Sequence, residues 1–220
     1  YYLFTGLTDG QHYVVGIPPA NFTTGGALVG YWSSNFTLTA GGNISEVAAT
    51  DPDNDTDNDD NGTFQTGGGF VGYVLSGPVT VTLGGEPTGE NPSNATQADA
   101  DSNLTVDFGF YTTSVGNLVW NDNGIGGGND DNALVDGSEA GVSGVAVVLL
   151  SGDGTAQIPV GPDGILGTAD DGSAPVVTDG SGNYTFAGLP AGSYTVRITT
   201  PSGYHSSSDP VNGATPLATD

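Results

Sequence analysis

The chain repeats itself. Tyr184, Phe186, Gly188, Leu189, Gly192, Val196, Pro201 and Tyr204 reproduce Tyr2, Phe4, Gly6, Leu7, Gly10, Val14, Pro19 and Phe22 at one constant offset and without a gap. Two copies of one unit within 220 residues constrain the fold more than any local propensity, because each copy must be a small domain able to recur in tandem. The coverage is lopsided. The first copy enters in the middle of the unit. The second runs out early, since Ala218-Thr219-Asp220 matches Ala49-Thr50-Asp51, where the first copy enters an acidic run. Each copy is therefore expected to leave strand edges and an apolar face uncovered. Such a stretch is either a window of a longer polypeptide or a subunit completed by strand addition from its neighbours. Both readings place it in a head-to-tail fibre of copies or adjacent repeats.

The local pattern says what kind of unit recurs. Leu104, Val106, Phe108 and Phe110 alternate with Thr105, Asp107, Gly109 and Tyr111, the period of a half-buried strand. After the polar joint Thr112-Thr113-Ser114, a second apolar segment begins at Val115, Leu118 and Trp120. This seam divides the chain into 1–113, the back part of a first unit, and 114–220, the front part of a second. Further strands are expected at His12–Ile17, Tyr31–Thr39, Phe70–Leu75, Val79–Leu83, Val142–Leu150, Pro175–Thr178, Tyr184–Phe186 and Tyr194–Thr199. Gly is abundant at 38 residues, Val, Thr, Tyr and Phe fill the apolar runs, and no 3.6-residue period is sustained, so the fold class is all-β. No apolar run is long enough to span a bilayer. The opening YYLFTG has no basic region, so no signal peptide is expected in this stretch.

Charge excludes whole classes of partner. Twenty-five acidic residues face a single basic one, Arg197, for a net charge of −24. Phosphate recognition needs cations, so nucleic acid and anionic membrane are excluded as partners. A chain this acidic repels itself unless something neutralises it. The acids are clustered, which suits a hard cation with oxygen ligands, namely calcium. The first cluster is Asp51, Asp53, Asp55, Asp57, Asp59 and Asp60; the second is Asp122, Asp130, Asp131, Asp136 and Glu139, with Asn132 among them; the third is Asp163, Asp170 and Asp171. The plainer alternatives are a solvated acidic loop for the first cluster and an ordinary hairpin loop for the third. No run matches a complete EF-hand loop. With no Cys there is no disulfide.

Four phrases carry a family resemblance: VGNLVWND (115–122), EAGVSGVAVVLL (139–150), TDGSGNYTFAGLPAGSYTVRITTPSGY (178–204), and DNDDNG (57–62) with SNLTVDFGFY (102–111). Together they resemble the SdrD B-like repeat of bacterial surface adhesins, related to collagen-adhesin (Cna) B-type domains. The resemblance implies tandem immunoglobulin-like, prealbumin-like β-sandwich domains, arrayed as a stalk and rigidified by calcium. It also implies that Asp122, Asp136 and Glu139 are the best ligands of the second loop. Two departures stand out. The chain has no Lys, so the Lys–Asn isopeptide crosslink of related domains cannot form. The insertion Gly124–Gly128 interrupts the usual acidic run of the second loop.

Other chemistry is thin. His12 and His205 are the only histidines, they lack the company a transition-metal site requires, and no G-x-S-x-G is present. Acids alone could host a two-carboxylate glycosidase, but here they sit in cation-like loops, and no catalytic residue is assigned. Sequons at Asn21, Asn35, Asn43, Asn54, Asn61, Asn94, Asn103 and Asn183 make glycosylation a candidate modification, although Asn and Thr are also ordinary turn and edge residues. The expected function is a non-enzymatic, extracellular structural repeat of a cell-surface stalk. The alternative is an adhesive module gripping a host or matrix ligand, whose exposed patch would lie near Tyr31-Trp32.

Overall fold

The computed structural model describes residues 2–54, 59–89 and 97–207. The chain divides into two units: Tyr1–Leu38 with Asn43–Thr112, and Thr39–Gly42 with Thr113–Asp220. Both are all-β, and the only helical turns described are short 3-10 turns. Among the described residues no helix is long and apolar enough to cross a membrane.

The first unit is a set of small antiparallel ladders. Strand β1 (Gln11–Tyr13) and β2 (Gly16–Ile17) lie close in sequence but take different partners. Strands β3 (Trp32–Ser33), β4 (Thr37–Leu38), β5 (Ile44–Ser45), β6 (Gly62–Phe64), β7 (Val74–Ser76), β8 (Val79–Val81) and β9 (Phe110–Tyr111) follow. β1 pairs with β8 (His12 opposite Thr80), β7 lies between β2 and β6, β3 pairs with β9, and β4 forms a hairpin with β5. The expected strand Tyr31–Thr39 is broken in two because Asn35 takes a left-handed conformation (φ 64°), which an amide side chain tolerates and a ladder does not. The first half of Phe70–Leu75 is a turn: Gly72, at φ 82°, folds β6 back onto β7 and leaves Phe70 and Val71 exposed. The packed centre is aromatic. Phe36 is fully buried between Trp32 (ring centroids 4.8 Å apart) and Phe64 (5.3 Å, edge-on).

The segment Leu104–Phe110 departs most from its pattern. Only Phe110 and Tyr111 join a ladder, and the residue sealed inside is Thr105 rather than an apolar neighbour. The Thr105 hydroxyl donates to the Pro52 carbonyl at 2.8 Å, which meets the hydrogen-bond need of a buried polar group. Leu104, Val106, Phe108 and Phe110 do share one face, but that face lines an open groove of about 900 Å³.

The second unit is better closed. Strand β10 (Thr113–Leu118) pairs with β13 (Asn183–Leu189), Val115 opposite Phe186, with an irregularity between Thr113 and Val115. Strand β11 (Ala146–Ser151) is central to a second sheet, between β12 (Val176–Val177) and β15 (Tyr194–Ile198); the short β14 (Ala191–Gly192) lies between β13 and β15 in sequence. Val145, Val147, Leu149, Phe186 and Leu189 are each at most 2% exposed. Of the expected strand Val142–Leu150 only Ala146 onward joins a ladder; Val147, Leu149 and Leu150 are buried while Ala146 and Val148 are half-buried, so one face of β11 is sealed and the other partly covered.

Candidate metal centres

The loop after β10 is drawn together by three of the acids that family resemblance assigns to calcium. Bridges at Trp120–Gly141 and Asn123–Asp130 pin its ends. Asp122 accepts from Ala133 N–H at 2.7 Å through Oδ2. Glu139 Oε1 accepts from the N–H groups of Asn123 (2.9 Å) and Gly124 (2.8 Å). Asp136 accepts from Asn129 N–H at 3.0 Å and from the Asn132 amide at 3.0 Å. The glycine insertion is part of this construction: a Cβ on Gly128 would meet Asp136 Oδ1 at 1.9 Å. Asp130 and Asp131 stay exposed on the rim. One oxygen stands out. Asp122 Oδ1 is buried and has no hydrogen-bond partner. An anionic oxygen shut away from water without a donor is costly. A cation bound by Asp122, with Asp136 and Glu139 turning toward it, would remove that cost, so the residues fit the ion.

The first cluster lies in the other unit. Asp51 closes the 3-10 turn Pro52–Asn54 by accepting from Asp53 N–H (3.1 Å) and the Asn54 amide (3.0 Å). Asp53 reaches Thr80 N–H at 2.7 Å, and Asp59 accepts from the Asn61 amide at 3.2 Å. Asp60 Oδ1 accepts from Gly62 N–H (2.9 Å) and Gly109 N–H (3.0 Å), while its Oδ2 is buried without a partner. Asp55 and Asp57 lie outside the described residues. In the third cluster, Asp163 Oδ1 accepts from Ile165 N–H (2.8 Å), Asp170 from the Thr168 hydroxyl (2.7 Å) and Asp171 from Gly167 N–H (2.8 Å). All three are exposed and engaged in holding their own turn. Among the described residues no three acidic or histidine side chains already stand in metal-ligating geometry. In the arrangement described, the carboxylates are matched mainly to backbone N–H groups, the donors left to a chain with one Arg and no Lys.

Electrostatics divides these acids. Hydrogen bonds from Ser151, from Thr168 and from the Asn183 backbone hold Asp153, Asp170 and Asp179 respectively below the usual carboxylate range. Glu46 goes the other way: burial, with the Asp60 charge adding to it, pushes its carboxyl up. Its Oε2 accepts from Phe64 N–H at 2.9 Å and its Oε1 is buried without a partner. No sequence signal pointed to Glu46, which stands outside every cluster. Burial and the nearby Asp107 carboxylate push the Tyr2 phenol up to about 12.

The remaining candidates are easily placed. Asn35, Asn43, Asn54 and Asn183 are exposed, Asn21 and Asn103 are half-buried, and Asn94 lies outside the described residues. Asn61 needs correcting as a glycosylation candidate. It is 0% exposed, its Oδ1 accepts from Asp107 N–H at 2.8 Å, and its Nδ2 donates to Thr50 Oγ1 and Asp59, so a folded chain does not present that nitrogen. His12 shares a 2.8 Å hydrogen bond with the Thr80 hydroxyl across the β1–β8 ladder, and His205 is exposed. Near the expected adhesive patch, Tyr31 is exposed, but Trp32 stacks on the buried Phe36.

With this geometry in hand, comparison with known proteins is decisive for the second unit. Residues 113–217 match the family model of the SdrD B-like domain. The second unit is an SdrD B-like domain. Its immunoglobulin-like fold accords with the two sheets around the Val147–Phe186 core. The chain is 40% identical over 122 residues to serine-aspartate repeat-containing protein F of Staphylococcus epidermidis, covering 54% of this chain and 6% of that protein. It is 33% identical over 174 residues to serine-aspartate repeat-containing protein D of Staphylococcus aureus strain Newman, covering 74% of this chain and 11% of that protein. The chain thus spans about a tenth or less of the length of these relatives, and the longer match reaches beyond the SdrD B-like domain into the first unit. No solved structure matches it.

Proposed function

We propose that this chain is a non-enzymatic structural segment of an extracellular surface stalk, in which calcium bound by acidic loops stiffens the repeat. The observation that carries the calcium reading is the loop Asn121–Glu139. There a buried, donorless Asp122 oxygen lies in a loop closed by Asp136 and Glu139. Calcium would supply the positive charge that the chain lacks and fix a loop whose only internal ties are hydrogen bonds. The SdrD B-like domain and the serine-aspartate repeat relatives support a place among surface repeats. Head-to-tail arrangement of such units would give a stalk whose stiffness depends on free calcium.

The test is thermal unfolding of the intact chain in millimolar calcium and in chelator, with Asp122→Asn and Glu139→Gln alongside. Calcium raises Tm by mass action if it binds only the folded form. Both substitutions should reduce that rise. Curves that coincide with and without calcium remove the ion from the account.

A further inference from the structure

Two carboxylates lie side by side on the free edge of β6, and each is only half used. β6 ends its sheet, with β7 on one side. Gly62 and Phe64, two residues and about 7 Å apart on that strand, give their N–H groups to side chains instead of to a further strand. Gly62 donates to Asp60 Oδ1 and Phe64 to Glu46 Oε2, each at 2.9 Å. Asp60 is held from a second direction, because its Oδ1 also accepts from Gly109 N–H at 3.0 Å. Glycine at 109 leaves room for this: a Cβ there would meet Ser34 Oγ at 2.3 Å and Asp60 Cβ at 3.4 Å. The other oxygen of each carboxylate, Asp60 Oδ2 and Glu46 Oε1, is buried without a hydrogen-bond partner. A third oxygen shares that condition. Ser33 of β3 is 2% exposed, and its hydroxyl lies beside Glu46 without reaching hydrogen-bond geometry.

We propose that Glu46, Asp60 and Ser33 form a site for one divalent, oxygen-preferring cation on the edge of β6, next to β3. Two anionic oxygens shut away from water need a counter-charge. The chain offers none nearby, since its one basic residue, Arg197, belongs to β15 of the second unit. The two acids feel each other, because the Asp60 charge acts on Glu46. A single shared proton would neutralise one carboxylate and leave the other, and Ser33 Oγ, as they are. A divalent cation balances both charges and takes a lone pair from all three oxygens. Glu46 and Asp60 are only half-buried, so water can complete the six or more ligands such an ion prefers. Of the first acidic cluster Asp60 alone takes part, while Asp51 and Asp53 are engaged with their own turn and with Thr80. The site shares no residue with the loop Asn121–Glu139 and stands whether or not that loop binds calcium. An ion there would clamp β3 and the residue that follows β5 onto one strand edge.

The experiment titrates calcium into the chelator-treated intact chain carrying Asp122→Asn and Glu139→Gln, a background that silences the loop of the second unit. Glu46→Gln and Ser33→Ala are then added separately. Glu46→Gln keeps an acceptor for Phe64 N–H, so it removes the charge and leaves the backbone hydrogen bond in place. Calorimetry should show one fewer ion bound in Glu46→Gln, or its affinity lowered by about tenfold or more, with a smaller loss in Ser33→Ala. Thermal unfolding supplies a readout that a merely structural role would not move. In the metal-free chain Glu46→Gln should raise Tm slightly, by relieving the repulsion from Asp60; in millimolar calcium it should lower Tm, by removing a ligand. Calcium should also slow amide exchange at Gly62 and Phe64 in the background chain and not in Glu46→Gln. Binding left unchanged by Glu46→Gln, or a Tm shift of the same sign with and without calcium, overturns the proposal. So does a background chain that binds no calcium at all. Calcium binding that Asp122→Asn and Glu139→Gln leave intact but Glu46→Gln weakens supports this site and counts against the loop.

Discussion

The same phrase of sequence is core in one unit and surface in the other. Phe186 is sealed in the second unit, while Phe4, its counterpart, is 60% exposed in the first. The side chains are chemically identical, and the glycines two residues on, Gly188 within β13 and Gly6 outside any ladder, share a left-handed conformation. Burial is thus no property of the phrase. It depends on whether a β10-type strand pairs alongside and a β11-type strand fills the space above.

That contrast can be broken most forcefully by truncating each side of it. Phe186→Ala should destabilise the second unit by about 3–5 kcal/mol, the usual cost of emptying a phenylalanine site in a close-packed core. Phe4→Ala should cost under about 0.5 kcal/mol in the intact chain, as at other surface positions. Urea unfolding of each variant, followed by a probe in the mutated unit, measures both. Equal costs would mean that the first unit hides Phe4 in solution.

Next in size is the metal. Calcium at 100 times its dissociation constant should stabilise the folded loop by about 2.7 kcal/mol. Amide exchange across 121–139 should slow more than exchange in β11, whose hydrogen bonds already sit in a dry core. Uniform slowing along the whole second unit would show that the ion acts on global stability rather than on the loop.

Asn61 and Asn183 form a smaller contrast between two sequons. Asn61→Ala should cost about 1–3 kcal/mol, because Asp107 N–H loses its acceptor inside the unit. Asn183→Ala should cost under about 0.5 kcal/mol, since Asn183 is exposed and its amide donates to the exposed Asp179. Comparable losses in thermal unfolding would contradict the burial of Asn61.

The smallest effect is in pH, and it runs in opposite directions in the two units. Asp153, Asp170 and Asp179 have depressed pKa values in the folded state, so what they contribute is present above the unfolded carboxylate range near pH 4 and lost as pH falls through their folded values. Glu46 is raised, so its contribution is present below that range and lost as pH rises through its folded value. Acidification should therefore loosen turns of the second unit while relieving the first. Glu46→Gln, which keeps an acceptor for Phe64 N–H, should raise Tm slightly at pH 7 and leave it unchanged near pH 3. A variant equally shifted at both pH values would sink the assignment.

Much of this protein follows from its residue order alone. The offset repeat announces a unit that recurs, the period-two alternation and the glycine content exclude helices, and the lack of Lys rules out an isopeptide bond, because each is a matter of which chemistry is present. The apolar run in Val142–Leu150 pointed to a core strand, and Val147, Leu149 and Leu150 are buried, although the ladder begins only at Ala146. Tertiary structure decided the rest. Thr105 rather than Leu104 is sealed because a carbonyl at Pro52, far away in sequence, can receive its hydroxyl. Asn61 is enclosed because its amide meets the backbone of Asp107. Glu46 is perturbed because folding removes it from water beside Asp60. An alternating pattern marks which side chains share a face, and only the strands that arrive from elsewhere determine whether that face meets a core or an open groove.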